Sequence, residues 1–135
     1  MTTINLAVEG EIATLTLNNP DKLNAINLAM WQQLSANMAS ISADRDIRCV
    51  VLRGAGDQAF AAGGDLEEFV TGRATLEQAL RYHGEVAKAL NAIADCPHPT
   101  VALIKGACIG GGLEIAGVCD LRIAGESARF GAPIN

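Results

Sequence analysis

The amino-acid sequence predicts an α/β fold in which a strand hairpin leads into alternating strands and helices. Three observations carry that expectation. The chain opens with two short alternating apolar runs. Later Val- and Leu-rich runs are too brief for helices, and longer segments space their apolar residues three and four apart. No repeat, low-complexity tract or linker interrupts this order, so residues 1–135 read as a single domain.

In "INLAVEGEIATLTLNNP" two strands flank a turn at Glu9-Gly10. After "NNPDKLNAIN", Asn27 is placed to cap a helix that turns Trp31, Leu34, Met38 and Ile41 inward. "IRCVVLRG" reads as a buried parallel strand. "AGDQAFAAGGDLEEFVTG" is a loop entering a short helix capped by Asp65. Thr75 and Gln78 form a capping-box pattern ahead of a longer helix, with Leu76, Leu80, Ala87, Leu90 and Ile93 expected inward until Pro97 and Pro99 end it. "TVALIKG", "GGGLEIAGVC" and "DLRIAG" then read as strand, helix and strand. The chain stops at "FGAPIN" without a closing helix, so the domain is expected to be incomplete at its C-terminal end.

Hydrophobic residues make up 50% of the chain and charged residues 19%, which is a packed rather than a disordered composition. A net charge of −5 argues against nucleic acid and anionic membranes as partners, because both need a basic face. It leaves room for an anionic small ligand held by backbone amides. No run is long enough to span a bilayer and the first residues lack a signal pattern, so the cytoplasm is the expected address. Cys49, Cys96, Cys108 and Cys119 show no CxxC spacing and no paired histidines, so no metal site is expected and the thiols read as reduced.

"GAGDQA", Gly54 to Ala59, fits a dinucleotide fingerprint only formally, since no helix opens there; it reads as a loop. No G-x-S-x-G elbow is present, and His83 and His98 read as surface or packing histidines. Glu67 and Glu68 read as solvated charge at a helix start. "AAGGD" and "IGGGLE" each join a strand to a helix and leave backbone N–H groups open. Two such amides aimed at one point form an oxyanion hole; the alternative is that glycine only permits close packing or a positive φ. Glu114 stands between Leu113 and Ile115. Either it points to water, or an apolar cleft holds it with a raised pKa suited to acid–base work.

Taken together, these segments resemble the enoyl-CoA hydratase/isomerase family, the crotonase superfamily. "NNPDKLNAIN" is similar to its NxP-x-x-x-NA-[LI] segment and "FAAGGDLEEF" to its F-x-AGAD-[LI] segment. "KGACIGGGLEIAGVCDLRIAGESARFGAP" follows its G-x-x-x-GGG-x-E-[LI]-x-x-x-CD-x-x-[IV]-A signature. The resemblance covers nearly the whole chain and implies a spiral of repeated ββα units, truncated before the C-terminal helical part. It implies a lyase or isomerase of fatty-acid metabolism, working on acyl-CoA thioesters as a homo-trimer or hexamer. No cofactor is implied, coenzyme A being part of the substrate.

By motif position, the resemblance assigns the amides of Gly64 and Gly111 to the thioester oxygen and Glu114 to acid–base catalysis. Lys22, Leu23, Ala25, Ala62, Asp65 and Leu66 fall on the CoA-binding segments, with Lys22 towards the phosphates and the backbone of Ala62 and Leu66 towards adenine. An exposed lysine without a partner is the other reading of Lys22. Gly64 replaces the family's usual alanine, and Ile134 stands where hydratases carry a second glutamate. With Glu114 alone, single-base reactions such as double-bond migration or decarboxylation stay open beside hydration. The rivals are an acyl-CoA-binding paralogue without catalysis and a serine-peptidase relative, which lacks a placeable Ser-His pair.

Overall fold

A computed structural model describes residues 3–133. Strands β1 (Thr3–Glu9) and β2 (Ile12–Asn18) form the expected antiparallel hairpin, with Glu9 opposite Ile12. The turn needs Gly10, whose φ is +61°. Alternation along β2 sends Ala13, Leu15 and Leu17 into the core, all fully buried. β2 then runs parallel to β3 (Cys49–Gly54), β3 to β5 (Thr100–Ile104), and β5 to β7 (Leu121–Ala124). The large sheet therefore has the order β1-β2-β3-β5-β7.

A second, parallel sheet of three short strands follows the order β4-β6-β8: β4 (Ala59–Ala61), β6 (Ala107–Ile109) and β8 (Arg129–Gly131). The sequence did not announce these strands, because three residues are too few to show a period. They also correct the expectation of no internal repeat. Each strand of the large sheet from β3 onward is followed by one strand of the small sheet and, in the first two cases, by helix. That is the repeated ββα unit the resemblance implied, and it is visible in backbone topology rather than in residue identity.

Helix α1 (Leu28–Ala43) begins where Asn27 accepts a hydrogen bond from the Met30 amide, and it buries Met30, Trp31, Leu34, Met38 and Ile41. It packs on α3 (Leu76–Ala94), whose Thr75–Gln78 capping box is present as expected. The inward face of α3 is the expected one only at its C-terminal end, at Leu90 and Ile93. Tyr82, Ala89 and Ile93 are buried, with Val86 and Leu90 partly so, whereas Leu76, Leu80 and Ala87 are exposed. Tyr82-Val86-Ala89-Ile93 keeps unbroken four-three-four steps, and the buried tyrosine sets the rotation of the helix. The helix α2 (Leu66–Thr71) is capped by Asp65, and α4 (Gly111–Val118) begins within the triple glycine, with Gly110 at its N-cap.

At the edge of the large sheet all four β7 residues are exposed, including Leu121 and Ile123. The α4–β7 turn is tied to β5: the Asp120 carboxylate accepts from the Thr100 amide at 2.9 Å, and the Asp120 amide donates to the Thr100 hydroxyl at 2.9 Å. His98 packs with Nε2 3.1 Å from the Ile41 carbonyl at the end of α1. All four cysteines are free, and burial pushes the thiols of Cys108 and Cys119 up to about 11.

Candidate active site

The site is assembled by three segments. The first is the loop 19–27. Asn24 is 1% exposed and lies in the left-handed region at φ +58°. Its Oδ1 accepts from the Asn19 amide at 3.0 Å, and its Nδ2 donates to the carbonyls of Ala55 and Ala59 at 3.0 and 2.9 Å. Locked this way, the loop lies alongside the second segment, residues 62–65. Ala62 N–H donates to Leu23 O, Ile26 N–H to Gly63 O, and Asp65 N–H to Ile26 O. Because Ile26 bridges Gly64 in parallel through the groups of Gly63 and Asp65, the Gly64 amide points away from Ile26.

The third segment is Gly110–Gly112. β4 and β6 are neighbours in the small sheet, so their C-terminal ends deliver the two glycine segments side by side. The contact is close. A Cβ on Gly110 would lie 3.7 Å from the Gly63 Cα, and one on Gly112 would lie 2.5 Å from the Ala61 carbonyl oxygen. A Cβ on Gly111 would stand 2.9 Å from the Trp31 ring. Close packing and open amides are therefore both properties of this segment. As the first residue of α4, Gly111 has an N–H ahead of the helix's own hydrogen bonds.

Glu114 lies in the first turn of α4, its amide bonded to Gly110 O at 2.9 Å. Ile115 and Ala116 turn into the core while Glu114 is exposed, since consecutive helical residues are about 100° apart. The described residues therefore do not enclose its carboxylate in apolar side chains, and the water-facing reading holds for this segment.

Around these groups lies a cleft of about 1120 Å³. Eight of the nine expected site residues line it: Lys22, Ala25, Ala62, Gly64, Asp65, Leu66, Gly111 and Glu114. Leu23 is not among the lining residues; it contributes its carbonyl to Ala62 instead. Trp31, Arg73, His83, Val86 and Leu113 join the wall without having been singled out for it. A surface histidine carries no sign of which surface it faces, and Arg73 sits in a turn with no periodicity to place it.

Lys22 is not a partnerless lysine. Its ammonium lies 3.1 Å from Glu67 and 3.3 Å from Asp65, and these bonds, Glu67 first, raise its pKa. Glu68 departs from the expected solvated charge. Its carboxylate accepts from the Leu28 amide at 2.7 Å and lies 3.1 Å from the Tyr82 hydroxyl, clasping α1, α2 and α3 together. Burial pushes the Tyr82 phenol above its ordinary pKa. Among the described residues, no group of three or more His, Cys, Asp or Glu could hold a metal ion, and no helix is long and apolar enough to cross a membrane. Ile134 lies outside the described residues.

The family model for enoyl-CoA hydratase/isomerase matches residues 7–135. An enoyl-CoA hydratase/carnithine racemase from Magnetospirillum magneticum superimposes on 100% of the chain with a TM-score of 0.96 and 53% identity, the match covering 51% of that protein. A Bacillus subtilis protein named for enoyl-CoA hydratase/isomerase is 38% identical over 90% of this chain and 46% of its own. The short-chain-enoyl-CoA hydratase of Clostridium acetobutylicum is 34% identical over 95% of this chain and 48% of its own. The chain spans about half the length of the curated relatives it matches.

Proposed function

The chain belongs to the enoyl-CoA hydratase/isomerase family, and from that premise we propose that it forms the oxyanion-hole half of an enzyme that stabilises the enolate of an acyl-CoA thioester. The observation that carries this reading is the convergence, on one cleft, of the Gly64 and Gly111 segments with the Glu114 carboxylate. The two amides donate to the thioester oxygen, whose charge grows as the α-carbon loses its proton or gains a nucleophile. Loss of one such donor costs about 2.7–4 kcal/mol of transition-state stabilisation. Glu114 carries the proton. Its exposure towards the cleft suits that role once substrate covers it and removes water.

Lys22 and the rim formed by Ala62, Asp65 and Leu66 receive the coenzyme A portion, with Ala25 beside them. Asp65 acts there as a positioning residue, because its carboxylate already caps α2 and holds Lys22. Coenzyme A enters as part of the substrate. With isoleucine at position 134, movement of a double bond needs fewer proton-transfer groups than addition of water does. Isomerisation is therefore the reaction these residues suit best, and the protein assembles as a trimer or a dimer of trimers.

The test offers crotonyl-CoA and a 3-enoyl-CoA to the purified protein in deuterated water, followed by NMR, with Glu114→Gln as the control. Double-bond shift with deuterium entering at the α-carbon, both lost in the variant, is the expected result. Water addition in place of the shift identifies a hydratase. Turnover that survives Glu114→Gln refutes the assignment of Glu114.

A further inference from the structure

We propose a second binding site, built around Arg53, that takes a small monocarboxylate with a short apolar body. The site is a cavity of about 260 Å³ at the carboxyl ends of β3, β5 and β7. It shares no lining residue with the Glu114 cleft, so it stands independently of the acyl-CoA reading. In open α/β sheets the carboxyl ends of parallel strands are a favoured place for ligands. The "GAGDQA" segment, which opens no helix, contributes Gly54, Gly56 and Ala59 to the wall.

Strand register decides what faces this cavity. Arg53 pairs with Leu103, and Leu103 with Ile123, so the three form one row across β3, β5 and β7. Leu52 and Gly54, on either side of Arg53, are buried in the core, and alternation turns the Arg53 row to the opposite face. A cation therefore stands in line with two branched apolar residues, Leu103 half-buried and Ile123 60% exposed. Arg53 is itself half-buried, and among the described residues no hydrogen bond or ion pair engages its guanidinium. Its donor fork matches a carboxylate held by two parallel bonds. The neighbouring charges set the valence. Lys105, also in the lining, lies 3.1 Å from the exposed Asp57, so one carboxylate offsets one ammonium. That leaves the single positive charge of Arg53, in a chain whose net charge is −5. A monoanion neutralises it, whereas a phosphate dianion brings a surplus charge beside Asp57. Leu103 and Ile123 cover the short hydrocarbon body.

NMR titration at fixed pH and ionic strength tests the site, with butyrate, acetate, butylammonium and inorganic phosphate as probes. Butyrate is expected to shift the Arg53 Nε–H and the Ile123 methyl signals saturably, with a Kd of about 1 mM. Acetate, two methylenes shorter, binds about tenfold more weakly, and butylammonium does not bind. Arg53→Met, which keeps the apolar stem and removes the fork, weakens butyrate at least about tenfold, and Arg53→Lys restores part of the loss. Asp57→Asn removes the competing carboxylate, so it tightens butyrate and admits phosphate; because Asp57 is exposed, this variant decides the matter even if Arg53→Met fails to fold. No saturable shift up to about 50 mM butyrate overturns the proposal. So does butyrate binding that is unchanged in Arg53→Met or in Asp57→Asn. Phosphate that binds wild type as tightly as butyrate overturns the assignment to a monocarboxylate, and butylammonium that does so shows an apolar pocket indifferent to Arg53.

Discussion

Asn24 holds the first wall of the cleft, and its replacement yields a graded prediction. Three side-chain hydrogen bonds, at 3.0, 3.0 and 2.9 Å, tie the 19–27 loop to itself and to the β3–β4 connection. At about 1 kcal/mol net for each, Asn24→Ala loses about 3 kcal/mol. It loses about 1 kcal/mol more because alanine must hold φ +58°. Asn24→Gly avoids that last cost and falls about 1 kcal/mol short of the alanine loss. Asn24→Asp keeps the acceptor facing the Asn19 amide but turns a carboxylate onto two carbonyl oxygens. Its loss at neutral pH therefore matches or exceeds that of alanine. It shrinks as pH falls through the aspartate's raised folded-state pKa, because only the protonated form can donate. Urea unfolding followed by the fluorescence of Trp31, the single tryptophan and 2% exposed, measures each value. If all three variants lie within 0.5 kcal/mol of wild type, or glycine is worse than alanine, the assignment of Asn24 as the loop's lock is wrong.

Two further outcomes follow from glycine and cysteine positions. Gly112→Ala drives a Cβ against the Ala61 carbonyl and Cβ at 2.5 and 2.8 Å, so it costs about 1–3 kcal/mol or more and lowers Tm by several degrees. Gly84→Ala, on an exposed stretch of α3 with open space around the new methyl, raises stability by up to about 1 kcal/mol; shifts of one sign at both sites count against this reading of the packing. Cys108 and Cys119 ionise near 9 when unfolded and near 11 when folded. Their contribution to stability is thus complete below pH 9 and lost between pH 9 and 11. Urea midpoints across that window, compared with Cys108→Ala and Cys119→Ala, should show a fall in wild type that flattens in each variant.

The sequence by itself determined the elements whose residues speak locally. The hairpin at Gly10, the caps at Asn27 and Asp65, the Thr75–Gln78 box and the α1 stripe depend on neighbours within about four positions, and all were legible. Eight of the nine residues that the family resemblance assigns to the site line the cleft, because their motifs stand in the order in which the parallel strands deliver them. What only the tertiary structure decided depends on residues far apart. The small sheet β4-β6-β8 exists because three-residue segments find partners some twenty to fifty positions away. The rotation of α3 follows Tyr82, anchored on Ile26 and Glu68. Glu68 becomes a clasp rather than a solvated charge because Leu28, forty positions earlier, brings it an unpaired helix-start amide. Arg73 reaches the cleft because that same tyrosine is fixed beneath it. Local periodicity encodes which face of an element is apolar; which distant group meets that face is encoded by packing, and packing has no short-range signature.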